Sequence, residues 1–470
     1  MNLFAWNKNS SLIIIGCLGF LVLIFFALAL IYLPTSSTNL VLALCLAALV
    51  LSLGFLICFK RFQVGMILLM IILPVENLLA IGAYGGVARY VLILTTIGSI
   101  FQVSRARKSA LLNDPIVQLL ALFVIWSSMT ILWSVSPDRS LVATSTHVSN
   151  LALLVVVASS SLRWLTIYWG TLIASCASSV LLSPLMPRPE GLDNDLDRFT
   201  TGGQDPNDLC GLFIIVISIA LYWLYPIAKT RLTKCLLILC TLMMVGGILL
   251  TGSRTGAVTF LVSIVPLFFQ RVRQKTLNYL YLVAVLNCIF IFTGEALSSV
   301  FGSYLEQLSS IDGFALLNRF LELDENTLAR SRWDVWMAAT EAIKQNFVLG
   351  VGAGALPYTI DSYSVVSLPR GTYNDELAVS AHSIILSVWS ETGLVGISLF
   401  ASFLIISMKR AFILSKSTFS GLSVLVGLAV VLTMGITLTW ETKRIIYILL
   451  GTLCVLWNVR RDSSKTLNFI

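Results

Sequence analysis

The chain has 470 residues and a formal net charge of +8, yet only 11% of its residues are charged and 57% are apolar. Soluble domains carry roughly a quarter charged residues, so a soluble enzyme is excluded, and the basic surplus reads as a membrane charge bias rather than a nucleic-acid surface. Lipid leaves helices and closed barrels as the spanning structures, and these apolar runs are too long and too uniform for barrel strands.

A spanning helix needs about 20 apolar residues. Such runs fall at 11–33, 38–58, 64–83, 87–103, 112–133, 141–160, 164–183, 207–226, 235–250, 256–270, 278–293, 382–406, 417–438 and 444–459. The first is too long for a signal-peptide core and has no small-residue cleavage pattern before Pro34, so it reads as a retained helix. Several runs are short or interrupted. The expectation is an all-α polytopic membrane protein of about 12–14 transmembrane helices. The nine cysteines sit in or near these runs as small hydrophobes, and no pair has metal-site spacing.

Orientation follows from the links. Lys60 and Arg61; Arg105, Arg107 and Lys108; Arg163; Lys229, Arg231 and Lys234; Arg271, Arg273 and Lys275; Lys409, Arg410 and Lys416; and Arg460 with Arg461 all fall on one side. By the positive-inside rule that side is cytoplasmic, as are both termini. The opposite side receives Ser136–Arg139, Arg188–Asn207, Thr251–Gly256, a long insert before Ala381, and Thr439–Arg444. The last of these is basic on the wrong side, which implies either a miscount or a task for those cations.

Four regions result: N-terminal membrane helices at 1–140, central helices with arginine-bearing external links at 141–293, a large periplasmic loop at 294–381, and C-terminal helices with a cytoplasmic tail at 382–470. Within the loop, Arg330–Lys344 has the spacing of an amphipathic helix. Trp333, Trp336, Thr340 and Ile343 share a stripe with Arg332 at its edge, and Ala338 and Ala339 permit close approach to a neighbour. The glycines of Gly350-Val-Gly-Ala-Gly354 permit tight turns. Gly352 either offers a backbone N–H to an anion or simply belongs to a helix-ending turn. The run is no nucleotide loop, since it lacks the Lys-Ser/Thr that would follow.

His382 and His147 are the two histidines. His382 stands where a helix leaves the external interface, and a neutral imidazole there can take a proton from a hydroxyl. Capping is its alternative role. His147 lies in a plain apolar run and reads as a packing residue. Arg254, flanked by small residues, and Arg332 offer the planar fork that matches phosphate oxygens, against a bland role as interfacial snorkelling groups. Arg198 is a weaker candidate of the same kind. Pro206 and Asn207 read as helix-start residues, while Asp205, Asn207 and Asp208 read equally as ligands for a sugar hydroxyl or cation. No residue set calls for a metal or other cofactor.

Several stretches taken in order resemble the O-antigen ligase and polysaccharide polymerase family of bacterial inner-membrane proteins. They are Ile131-Leu-Trp-Ser-Val-Ser-Pro-Asp-Arg-Ser140, Asp205-Pro-Asn207, Thr251-Gly-Ser-Arg-Thr-Gly256, Ser331-Arg-Trp-Asp-Val-Trp336, Asn346-Phe-Val-Leu-Gly-Val-Gly-Ala-Gly354, Ala381-His382 and Glu391-Thr-Gly-Leu-Val-Gly396. The resemblance covers about Ile131 to Ile406 and implies a C-type glycosyltransferase-like fold in the inner membrane. It implies an undecaprenyl-diphosphate-linked oligosaccharide as donor and a glycan or lipid A–core hydroxyl as acceptor, with inversion at the anomeric carbon and no metal. On that resemblance His382 is the base, and Arg254 and Arg332 hold the diphosphate; Arg198, Asp205, Asn207, Trp333 and Gly352 are the further candidates for contact with substrate. Membrane lipids, and a regulator of chain length, are the further partners it brings in. Ser383 departs from the asparagine many relatives carry after the histidine, which leaves the acceptor open.

Two other classes compete. A lipid-linked glycan transporter or flippase would use Arg254 and Glu76 along a path, but no internal repeat of the transporter kind is found. A subunit of an envelope complex is the blandest alternative.

Overall fold

The computed structural model describes residues 61–79, 86–186, 199–202, 204–268, 328–364, 371–373, 376–378 and 380–467. The expected helices at 11–33, 38–58 and 278–293, and Arg198, lie outside them. Thirteen helices organise the described residues. They are α1 (Phe62–Ile72, continued as a 3-10 helix to Leu79 past a kink at Val75), α2 (Val87–Gln102), α3 (Arg105–Leu112), α4 (Pro115–Met129), α5 (Pro137–Ala158) and α6 (Leu162–Leu182). Then follow α7 (Pro206–Ile219, extended by a π turn at Ala220–Leu224), α8 (Arg231–Thr251), α9 (Arg254–Phe268), α10 (Leu328–Gln345), α11 (Ile384–Ser415), α12 (Phe419–Thr437) and α13 (Arg444–Leu467). Among the described residues eight spans are long and apolar enough to cross a membrane, nine if α2 and α3, bent by 117°, count as one. The protein is an all-α polytopic membrane protein. A hairpin of two three-residue strands, Gly371–Tyr373 with Glu376–Ala378 in antiparallel register, is the one sheet among the described residues.

Local chemistry sets the helix starts. Asp114 and Asp205 cap α4 and α7 through their carboxylates, with Pro115 and Pro206 at the first helical position, where a missing N–H costs nothing. Thr230 and Thr418 cap α8 and α12 in the same way. Helices α7 and α12 form the buried centre, whereas α8 lies at the rim with Leu232, Leu239 and Leu249 exposed, as a lipid-facing helix requires. Close approach at the centre depends on small residues: any Cβ on Gly211 would strike the Trp440 ring.

The two ends of the bundle sort the links as the charge pattern expects. At one end Arg107 bonds the Ser160 carbonyl, Arg410 pairs with Asp114, and Arg460 bonds the Ile413 carbonyl at 2.9 Å. At the other end Val135 N–H donates to Val351 O (3.1 Å), Thr201 bonds Pro74 O (2.7 Å), and Ser380 meets Thr439. That second end carries every candidate site residue that is described. The basic run Thr439–Arg444 also belongs there, and its cations are spent on acids: Lys443 pairs with Asp208, and Arg444 with Glu76 at 2.6 Å.

Candidate functional site

The site is built around the C-terminal end of α12 and the hairpin 438–443 that follows it. Four helices start around this point. Thr255, the second residue of α9, shares a hydroxyl hydrogen bond of 3.0 Å with Thr437. Ile384, the first residue of α11, packs on Gly435. Asp208, in the first turn of α7, accepts from Trp440 Nε1 at 2.7 Å. Helix α13 begins directly after the hairpin. A helix N-terminus carries roughly half a positive charge on its unsatisfied N–H groups. Four of them at one place make a region that favours an anion before any side chain is counted.

His382 enters this ring on the segment before α11. Ser380 bonds Thr439, and the His382 N–H donates to Ser380 Oγ at 3.5 Å. His382 is half-buried and has φ +47°, the one positive φ outside glycine among the described residues. The left-handed region costs an ordinary residue about 1–3 kcal/mol and persists where the surroundings fix it, which is commonest at functional sites. Ser383, in extended conformation, then stands at the N-cap. The histidine thus sits beside the positive end of a helix, where a neutral imidazole is favoured. It does not itself occupy the capping position.

Arg254 is the first residue of α9. Gly252 ends α8 in the left-handed conformation, and Ser253 Oγ accepts the Gly256 N–H at 3.1 Å. Gly256 lies against Cys210 of α7, where any Cβ would overlap the sulfur. The small residues around Arg254 therefore serve a helix–turn–helix corner. That corner puts Arg254 next to Thr255, which reaches Thr437, two residues from the Thr439 that meets Ser380. The backbones bearing Arg254 and His382 are joined by two side-chain hydrogen bonds and short stretches of chain.

Arg332 and Trp333 lie in the second turn of α10. The buried face of that helix is Val335, Ala338, Ala339 and Ala342, packed with Val351, Leu356, Ile360 and Ala381. This face is offset from the stripe of Trp333, Trp336, Thr340 and Ile343; Trp333 is 61% exposed. The alanine pair does give the close approach its size allows. Because Ala381 belongs to the same cluster, α10 packs on the residue preceding His382.

The glycine run is a strap between α10 and α11, with Gly350, Gly352 and Gly354 at φ +72°, +113° and +69°. Its amides are spent within the fold. Val351 N–H donates to Ser390 O, Gly352 N–H to Glu391 O, Ala353 N–H to Thr130 Oγ1 and Gly354 N–H to the Glu391 carboxylate. Gly352 is therefore corrected from an anion contact to a packing residue, with a Cβ excluded by Ser134. The strap grips α11 at a break the apolar run conceals. Gly393 has φ +67° and ψ −169°, dividing α11 into a short first half below His382 and a long second half. A Cβ on Gly393 would meet the Val348 carbonyl. Gly393→Ala is expected to cost at least about 1–3 kcal/mol from the backbone alone, read as a lower thermal midpoint in detergent; an unchanged midpoint would refute this role for the break.

Asp205 caps α7 by accepting from Asn207 N–H (2.8 Å) and Asp208 N–H (3.2 Å), which makes the helix-start reading the one the geometry displays. The residue sequence reasoning passed over is Glu441; Asp208 was weighed only as a ligand, and Lys443 only as part of a basic run, not as each other's partner. Burial opposes the charge on Lys443, but Asp208 beside it more than restores it and raises its pKa. Glu441 is pushed above the usual carboxylate range, chiefly by burial. The available signal was the basic run on the side that should lack one.

Residues 239–401 match a family model described as O-Antigen ligase. No curated protein matches the chain. One solved chain, from a structure described as "Structural coordination of polymerization and crosslinking by a peptidoglycan synthase complex", shares 19% identity over 74% of this chain and 97% of its own length. Its TM-score of 0.36 is too low to carry an argument.

Proposed function

We propose, from the match of residues 239–401 to a family model described as O-Antigen ligase, that this chain transfers a glycan from an undecaprenyl-diphosphate-linked donor to a sugar hydroxyl at the periplasmic face of the inner membrane. The observation that carries the reading is the convergence of four helix N-termini, the Arg254 corner and the strained His382 segment on one end of the bundle. His382 removes the proton from the acceptor hydroxyl. The acceptor oxygen then attacks the anomeric carbon from the face opposite the leaving group, so the configuration inverts. The bond from the anomeric carbon to the phosphate oxygen breaks, and its electron pair leaves on the diphosphate.

That departing charge is what a cationic site stabilises most, because it develops in the transition state. Arg254, Arg332 and the helix N-termini supply the charge without a metal. Arg254→Ala is expected to lower kcat by about 10²–10³-fold, and Arg254→Lys to recover part of it, since lysine keeps the charge but loses the fork. Equal kcat in wild type and Arg254→Ala would remove Arg254 from the mechanism.

Acceptor choice separates polymerase from ligase. Purified protein in liposomes, supplied with the lipid-linked glycan with and without lipid A–core, decides it. Lengthening without core identifies a polymerase, and transfer that requires core identifies a ligase. A folded protein that releases no undecaprenyl diphosphate with any donor would refute both.

A further inference from the structure

Helix α5 carries a polar stripe on its buried side: Ser140, Thr144, His147 and Asn150 recur at helical spacing, all less than a tenth exposed. An apolar membrane helix has no packing need for four such residues, and intramembrane polar groups are retained where they have a partner or a task. The upper end of the stripe has partners. Asn150 Nδ2 donates to the Thr442 carbonyl at 2.9 Å, and Tyr447 O–H donates to the Glu441 carbonyl at 2.5 Å. The stripe therefore leads to the hairpin that organises the His382 ring.

Glu441 is the group whose bonding is incomplete there. Its Oε1 accepts from Ser387, in the first turn of α11, at 2.8 Å. Its Oε2 is enclosed without a hydrogen-bond partner, and Asn150 Oδ1 is enclosed without one at the same junction. Both are acceptors. A buried acceptor without a donor costs about 1–3 kcal/mol, so two together call for hydrogens that an ionised carboxylate cannot supply. A protonated carboxyl supplies one.

We propose that Glu441 holds a proton at neutral pH and, as a neutral acid, acts as a positioning residue for the His382 segment. The positioning runs through two contacts on either side of that histidine: Glu441 to Ser387 after it, and Thr439 to Ser380 before it. The titratable groups that interact with Glu441 are Glu391 of α11, Asp208 of α7, Tyr447 of α13 and Lys443 of its own hairpin. Burial, the largest influence, and Asp208 favour the neutral acid; the residue's own backbone N–H, the Ser387 hydrogen bond and Lys443 oppose it. As pH rises through the raised value the proton is lost, a buried charge appears, and the hairpin and the first turn of α11 lose their fixed geometry. Its effect on transfer rests on the function proposed above; the protonation itself does not.

Difference infrared spectroscopy of the purified protein tests the proton directly. The expected result is a carboxylic-acid C=O component at neutral pH that is lost in Glu441→Gln and retained in Glu391→Gln. A spectrum from which Glu441→Gln removes no such component overturns the proposal whether or not the protein transfers glycan. The functional arm compares variants. Glu441→Gln has the shape and donor of the neutral acid, so it is expected to keep transfer at neutral pH and to lose the decline on the alkaline side. Glu441→Ala is expected to fall by about tenfold to a hundredfold, a loss typical of misplaced catalytic geometry. An alkaline decline unchanged in Glu441→Gln would also overturn it. Wild type that shows the component and no transfer would count against the proposed function alone.

Discussion

Replacing His382 by alanine lowers the rate of glycan transfer by about 10²–10⁴-fold, the range a positioned general base supplies. The protein still inserts and folds, because the segment is held by other groups. Ser380 meets Thr439, Ser387 meets Glu441, and Ala381 packs with α10, none of which needs the imidazole. Alanine at this position meets the same restriction on positive φ as histidine, and glycine meets none. Relief of that strain in His382→Gly offsets the packing that the imidazole supplied. His382→Gly is therefore expected to be at least as stable as His382→Ala and equally inactive. Transfer measured in membranes containing matched amounts of each protein checks both. Activity within a factor of a few of wild type would assign His382 a structural role only.

The second large effect lies at the other end of the bundle. Arg410 of α11 donates to both carboxylate oxygens of Asp114 at 2.9 and 2.7 Å, and both groups are buried. Asp114 also caps α4 through the Ile116 N–H at 2.9 Å. Arg410→Ala leaves that carboxylate enclosed without its cation, which costs about 3–5 kcal/mol. Removing both charges, as in Asp114→Asn with Arg410→Met, avoids the stranded charge while asparagine keeps the cap. Thermal unfolding in detergent is expected to show a large loss for the single variant and recovery in the double one. The same loss in both would mean that the pair's Coulombic attraction, rather than avoidance of a stranded charge, dominates. Because this pair sits at the opposite end from His382, the folded fraction of the double variant is expected to transfer glycan at the wild-type rate.

The helices were legible because a bilayer imposes one strong rule on composition. The runs expected at 87–103, 141–160 and 207–226 correspond to Val87–Gln102, Pro137–Ala158 and Pro206–Ile227. The sorting of links between two ends was legible for the same reason. What periodicity could not show was the break in α11. A glycine inside an apolar run is ordinary; only the strap pressing on Val388–Gly393 makes φ +67° necessary there. The close approach of the alanine pair in α10 was legible, whereas the part Val335 and Ala342 play in the same packed face was not. The glycine strap shows the same limit in another form. Its spacing resembles an anion cradle, but Glu391, Ser390 and Thr130 take the amides, and those acceptors lie distant in sequence. The basic run at 439–444 was visible as an anomaly, and its explanation required the distant acids Asp208 and Glu76.

The most direct test of the account is where the donor binds. A lipid-diphosphate glycan bearing a photoreactive group on the sugar next to the diphosphate would be crosslinked to the reconstituted protein and the attachment sites mapped by mass spectrometry. The account predicts attachment within 251–256, 380–384 and 437–444, competed by unlabelled donor and weakened in Arg254→Ala. Competed attachment confined to the end that carries Arg107 and Arg410 would contradict it.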